Sequence, residues 1–230
     1  MTEERPIALV MGAAGGIGQA VASALADRYR VGLAGRDEVA LRKLAETLPE
    51  AFCWRVDLSR GRTISEMPSE LSRLSLFVNC AGLFAYGTIA DTSMEVWQDL
   101  FSANLFGFVE VTRLVLPALR AARGRVIVVN STAVSGSPAK RAAYAASKVA
   151  VRTFTEALHQ EELDNGIRVT SVFPGRVATK TQQAVRLAEG GPYDPESYLS
   201  PASVAAAILW VVLSPDDSHI TQFEVKPVWH

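Results

Sequence analysis

The chain has little of what marks several large protein classes. It holds two cysteines, Cys53 and Cys80, at the edges of apolar runs and with neither CxxC nor Cys/His spacing. That pattern suits no disulfide framework or zinc cluster, so no metal is expected and both thiols are read as small buried hydrophobes of a reducing cytosol. A basic surplus is missing too: 23 Lys+Arg stand against 24 Asp+Glu, for a net charge of −1. Nucleic-acid-binding domains usually carry a basic excess or stripe, so no nucleic-acid partner is expected. No uncharged apolar run of about 18 residues is available to span a bilayer. The opening MTEERPIALVMG has no basic segment followed by an apolar core and cleavage site, so no signal peptide is expected and a cytoplasmic location is.

What remains is a chain of 230 residues, 49% of them hydrophobic, which is ample material for a core. Short apolar runs alternate with longer segments of 3.6-residue periodicity. Strands are predicted at 6–11 (PIALVM), 30–34, 53–56 (CWRV), 76–79 (LFVN), 125–130 (RVIVVN), 167–173 (IRVTSVF) and 220–225. Helical patterns fall between them, opening near Ile17 and then spanning 38–48, 94–119, 142–163 and 201–213. Strands alternating with helices imply a mainly parallel, doubly wound α/β sheet with helices on both faces. Seven strands and one domain over residues 1–230 are expected. Residues 174–200 are rich in Pro, Gly and polar side chains and read as a long loop with at most short helices. Loops of that length in an otherwise regular domain are commonly binding loops or lids.

The turn MGAAGGIG, 11–18, sits between the first strand and first helix. Its spacing Gly12-xxx-Gly16-x-Gly18 allows a tight turn, backbone approach to a phosphate and close packing of helix on strand. Placed there, it points to a dinucleotide. The second strand ends LAGRD, 33–37. A fold that selects NAD ends this strand with a carboxylate for the ribose 2′-hydroxyl, whereas NADP calls for a cation. Gly35 stands at the carboxylate position and Arg36 follows with a fork suited to phosphate, which favours NADP with NAD as the alternative. Asp37 is available as the next helix's N-cap.

Tyr144 and Lys148, in YAASK, lie at i and i+4 of one predicted helix and so share a face. Ser131 closes the fifth strand at the edge where open α/β sheets bind ligands. Asn104 is a polar amide among Phe101, Leu105, Phe106 and Phe108, and such a group requires hydrogen-bond partners.

Taken together, MGAAGGIG (11–18), VDLS (56–59), NCAG (79–82), Asn104, the serine thirteen residues before the tyrosine, YAASK (144–148) and FPGRVAT (173–179) resemble the short-chain dehydrogenase/reductase family over nearly the whole chain. The resemblance implies a single-domain Rossmann fold. It implies an NAD(P)-dependent oxidoreductase that interconverts a small-molecule carbonyl compound and its alcohol. Tyr144 would be the general acid or base, and Lys148 would hold the nicotinamide ribose and stabilise the phenolate. Ser131 would orient the substrate oxygen, and Asn104 would hold the helix backbone around a proton-relay water. Cofactor contacts are implied at Gly12, Gly16, Ile17, Gly18, Arg36, Asp57, Leu58, Asn79, Ala81, Gly82, Tyr144, Lys148, Pro174, Gly175, Val177 and Thr179. Met11 stands where the family usually has threonine, and a hydroxyl that could brace the turn is lost. The substrate pocket is expected from Phe84, Ala133, Val134 and residues 176–199, with Gly190, Gly191, Pro192 and Tyr193 as a flexible cover. Lys140 and Arg141, with Pro138 and Ala139 at the pocket mouth, could attract an anionic substrate, but a solvated surface pair is the ordinary reading. A homodimer or homotetramer through the helices carrying Asn104 and Tyr144 is also implied. Two other readings fit less well. A non-catalytic dinucleotide sensor would typically lack the tyrosine or lysine, and a nucleotide-sugar epimerase would need other glycine spacing and a longer C-terminal region.

Overall fold

A computed structural model describes residues 5–59, 63–136 and 139–228. The chain alternates strands β1 (Ile7–Met11), β2 (Arg30–Gly35), β3 (Ala51–Asp57), β4 (Thr63–Ile64), β5 (Leu76–Asn79), β6 (Arg125–Val129), β7 (Arg168–Pro174) and β8 (Gln222–Val225) with helices. The helices are α1 (Gly16–Leu25), α2 (Glu38–Ala45), α3 (Met94–Phe101), α4 (Gly107–Ala122), α5 (Ala142–Glu162), α6 (Lys180–Ala188) and α7 (Pro201–Val212). The sheet order is β4-β3-β2-β1-β5-β6-β7-β8. Seven strands are parallel, as expected; the eighth, β4, is a two-residue strand antiparallel to β3 and too short to leave an alternation in the sequence.

The central strands are mostly apolar because both their faces are covered. Ala8 and Val10 of β1 join Val21, Ala22 and Leu25 of α1 and Val204, Ile208 and Val211 of α7 in one core. Leu9 and Met11, facing the other way, join Phe108, Val111, Val115 and Leu119 of α4 and Val151 and Leu158 of α5. Met11 is thus a core residue at 1% exposure. The strand order reverses between β1 and β5, and at such a switch point the carboxyl ends of the strands open onto a ligand crevice.

Two predicted segments fold differently. The helix expected over 94–119 is divided: a wide π turn at Ser102–Phe106 joins α3 to α4. An extra residue in one turn is invisible to a 3.6-residue pattern, and such bulges recur at functional sites. The 174–200 segment is not a bare loop. It carries the nine-residue α6, capped by the Thr179 hydroxyl accepting from Gln182 N, and a short 3₁₀ turn at Pro195–Ser197. Its two ends are stitched by Ala178 N donating to Leu199 O at 2.7 Å and Leu199 N to Arg176 O at 3.0 Å. Among the described residues, no helix is long and apolar enough to cross a membrane.

Candidate active site

The turn after β1 is built around glycines whose replacement would displace backbone at Gly12 and Gly18 and the Thr179 side chain at Gly16. Gly12 has φ +75°, and a Cβ there would lie 2.8 Å from Ala81 N and Cα. A Cβ on Gly18 would lie 2.2 Å from Gly12 O, and one on Gly16 would lie 2.9 Å from the Thr179 methyl. The turn therefore presents bare backbone to the cleft. No side chain caps α1, whereas α2, α3, α6 and α7 are capped by Asp37, Ser93, Thr179 and Ser200. Its first N–H groups and the positive end of the helix face the crevice together, an arrangement that fits a pyrophosphate. Gly18→Ala is expected to lower thermal stability by about 1–3 kcal/mol, the usual cost of forcing an extra carbon into a packed site. Thermal unfolding of the cofactor-free protein measures it.

On one side of this turn β2 ends at Gly35. Arg36 is exposed on the cleft wall, and Asp37 caps α2 by accepting from Ala40 N at 3.0 Å. Asp57 ends β3 and accepts from Ser59 N at 3.0 Å. That bond, the Ser59 hydroxyl and the nearby Arg36 and Arg55 charges hold its carboxyl below the ordinary carboxylate value.

On the other side stand the groups that can move protons. The Ser131 hydroxyl, just after β6, accepts from Ala133 N at 3.2 Å and lies beside the Tyr144 hydroxyl, whose ionised form it favours. Burial raises the Tyr144 pKa; the Ser131 hydroxyl and the Arg141 charge oppose that rise. The Tyr144 ring packs on Phe84, with centroids 4.8 Å apart. Lys148, one turn on along α5, is 5% exposed and donates from Nζ to Val129 O at 3.3 Å. Burial pushes its pKa down to about 8. The neighbouring Cys80 thiol is pushed up to about 12 by the same burial and stays neutral near pH 7.

Asn104 sits in the π turn at 1% exposure. Its Oδ1 accepts from Leu83 N at 2.6 Å, while Nδ2 donates to Leu83 O at 3.1 Å and to Ser147 Oγ at 2.9 Å. Ser147 Oγ in turn donates to Tyr144 O at 2.7 Å. The amide thus ties the loop after β5 to the first turns of α5. A Cβ on Gly82 would meet both Asn104 Oδ1 and Lys148 Nζ at 3.3 Å, so the two polar groups share one small space.

The short chain dehydrogenase model matches residues 6–190. The chain belongs to that family. An uncharacterized oxidoreductase of Staphylococcus saprophyticus is 28% identical, over 96% of this chain and 97% of its own. Among solved structures, the closed form of a serine dehydrogenase complexed with NADP+ superposes with a TM-score of 0.84 at 28% identity, covering 96% of this chain and 95% of that one. A variant of actinorhodin polyketide ketoreductase with NADPH superposes at 0.83 and 27% identity, covering 97% and 96%. The chain is accordingly an oxidoreductase that acts on CH–OH groups.

In this dehydrogenase one cleft of about 610 Å³ brings most of the anticipated residues together. Gly12, Gly16, Ile17, Gly18, Arg36, Asp57, Leu58, Ala81, Gly82, Ser131, Tyr144, Lys148, Gly175, Val177 and Thr179 all line it. Three do not. Asn79 is buried, with Oδ1 accepting from Ala81 N at 3.2 Å; it shapes the turn. Asn104 lies behind the wall, and Pro174 ends β7, paired with Val225. Of the expected pocket residues Phe84 and Ala133 line the cleft and Val134 does not. Pro138 lies outside the described residues.

Arg141 requires a correction. It is no solvated surface residue: its side chain is 16% exposed, ion-paired with Glu189, and on the cleft wall three residues before Tyr144. Lys140 is exposed, its ammonium 5.7 Å from the Tyr86 ring centre. Arg176 and Gln182, within the 176–199 segment expected at the pocket, also line the cleft. Nothing in the sequence could pair Arg141 with a carboxylate 48 positions away.

Proposed function

We propose that this protein is a single-domain, cytoplasmic, NADP-preferring carbonyl reductase or alcohol dehydrogenase that works as a homo-oligomer. The observation that carries the activity is the placing of the Ser131 and Tyr144 hydroxyls together inside the glycine-ended cleft, with Lys148 one helical turn away. The cofactor fits the cleft by its own chemistry. The uncapped α1 terminus with Gly16, Ile17 and Gly18 would hold the pyrophosphate, and Arg36 the ribose phosphate. Gly175, Val177 and Thr179 would hold the nicotinamide end. When bound, the nicotinamide exchanges hydride with the substrate carbon. Ser131 hydrogen-bonds the substrate oxygen, and Tyr144 donates its phenolic proton to that oxygen in reduction or accepts one in oxidation. Lys148 holds the nicotinamide ribose hydroxyls and steadies the phenolate. Asn104, through Ser147 and Leu83, positions α5 and closes the relay that returns a proton to Lys148.

The NADP+ and NADPH bound to the serine dehydrogenase and the ketoreductase agree with this choice of cofactor. The test is oxidation of NADPH and NADH against a panel of ketones and aldehydes, with alcohols in reverse. NADPH oxidation by at least one ketone or aldehyde is expected, and none at all would sink the reading. Arg36→Asp sets a carboxylate where the phosphate sits and is expected to weaken NADPH at least about 100-fold while sparing NADH. Fluorescence titration with both nucleotides reads it. Equal affinity of the wild type for the two would remove the NADP preference.

A further inference from the structure

The segment after β7 folds back over the substrate side of the cleft, and Glu189, at the end of α6, is its anchor. Its carboxylate is 9% exposed. It accepts from Arg141 Nη2, from Arg176 Nη1 at 2.9 Å and Nη2 at 3.1 Å, and from Arg186 Nη1 at 2.5 Å. A carboxylate offers about four acceptor positions. Four N–H groups fill them, so Glu189 is saturated. Three guanidinium charges remain matched by a single carboxylate. The Arg141 and Arg186 side chains are only 16% and 23% exposed, and desolvated charge of one sign calls for a partner.

A second observation concerns the cleft wall. Arg141 and Gln182 both line the cavity, and Arg141 Nε and Gln182 Nε2, buried within that wall, have no acceptor among the described residues. Gln182 is 8% exposed. Arg141 also lies 5.8 Å from the centre of the Phe84 ring, the same ring that packs on Tyr144. Its charge is therefore beside the carbonyl-handling groups. It is far from the adenosine end of the site, because β1 and β5 stand between β2, which carries Arg36, and β6, whose following loop leads to Arg141.

We propose that the substrate is an oxo acid or hydroxy acid whose carboxylate docks on Arg141 while its reacting oxygen meets Ser131 and Tyr144. This rests on the proposed activity and names its substrate class. The Arg141 fork grips both the ligand carboxylate and Glu189, so α6 is held over the cleft when the ligand is bound. Arg176 and Arg186 keep Glu189 from competing for the remaining donors.

The experiment pairs 2-oxobutanoate, 4-oxopentanoate and 5-oxohexanoate with their methyl esters, which replace the carboxylate by a neutral group. At least one acid is expected to exceed its ester about tenfold or more in kcat/KM. Arg141→Gln should abolish that preference, mainly through KM, and Arg141→Lys should restore part of it. Calorimetry with the same acids on the cofactor-free protein should show binding that weakens about tenfold or more in Arg141→Gln. Esters reduced as well as acids across the series would overturn the substrate class while leaving the oxidoreductase reading intact. Equal loss of acid and ester turnover in Arg141→Gln would reduce Arg141 to a structural role, and a matching loss of NADPH affinity would give the cluster to the cofactor; either overturns the proposal. If no carbonyl compound is reduced, the activity falls, and the calorimetry alone decides whether an anion site exists.

Discussion

Tyr144→Phe is expected to leave NADPH binding in place and to lower turnover by about 10²–10⁴-fold, the usual contribution of a positioned general acid. The substitution removes one oxygen and keeps the ring, so the contact with Phe84 at 4.8 Å survives and α5 has no reason to shift. What goes is the hydroxyl beside Ser131. Burial keeps that hydroxyl protonated across the neutral range, as a donor to a developing alkoxide must be. The Ser131 hydroxyl and the Arg141 charge favour the phenolate that forms as the proton leaves. An environment that holds the proton in the ground state and supports its loss is suited to an acid rather than to a structural tyrosine. Fluorescence titration and single-turnover reduction separate the two effects. A variant that reduces a working substrate at near wild-type rate would remove Tyr144 from the chemistry.

Much of this arrangement was legible because it follows from local pattern. The apolar run at β1 is buried on both faces, and its two sides feed two different cores, as a central parallel strand requires. The i, i+4 spacing of Tyr144 and Lys148 needs only a helix to set both on one side. The glycines after β1 declare themselves because their Cβ positions are already occupied. What stayed hidden has no local signature. The π turn at Ser102–Phe106 shifts the helical register by one residue without changing composition. Helix α6 buries little beyond Gln182 and Val185 and leaves Leu187 83% exposed, so its apolar face is too narrow to betray a helix. The Arg141–Glu189 contact joins residues 48 apart that meet only because the chain after β7 doubles back over the cleft. A charge looks solvated in sequence until its partner is found.

Lys148→Met is expected to make the cofactor-free protein more stable near pH 7 and to abolish most of its turnover. The lysine is 5% exposed, and its pKa falls from 10.5 to about 8 because its charge is taken out of water. A shift of that size corresponds to about 3 kcal/mol against the folded state. Methionine keeps the unbranched stem and removes the charge; loss of the Nζ bond to Val129 O returns about 1 kcal/mol of this. The net gain, about 2 kcal/mol, should raise the melting temperature by about 4–8 °C in a chain of this length. The pH dependence has a defined sign. Below about 8 the lysine is protonated in both the folded and unfolded states and the whole penalty is present. Between about 8 and 10.5 only the unfolded chain holds the proton, so the wild type gains stability as pH rises. The melting gap between variant and wild type should therefore narrow across that window. A gap that stays constant with pH, or a variant less stable than wild type at pH 7, would mean that the ammonium is well accommodated where it lies. A buried charge that weakens the fold is retained only where the site uses it, and stability bought by removing it should cost the reaction. On the proposed mechanism that loss falls on the Tyr144 phenolate and the nicotinamide ribose, the two partners the ammonium serves.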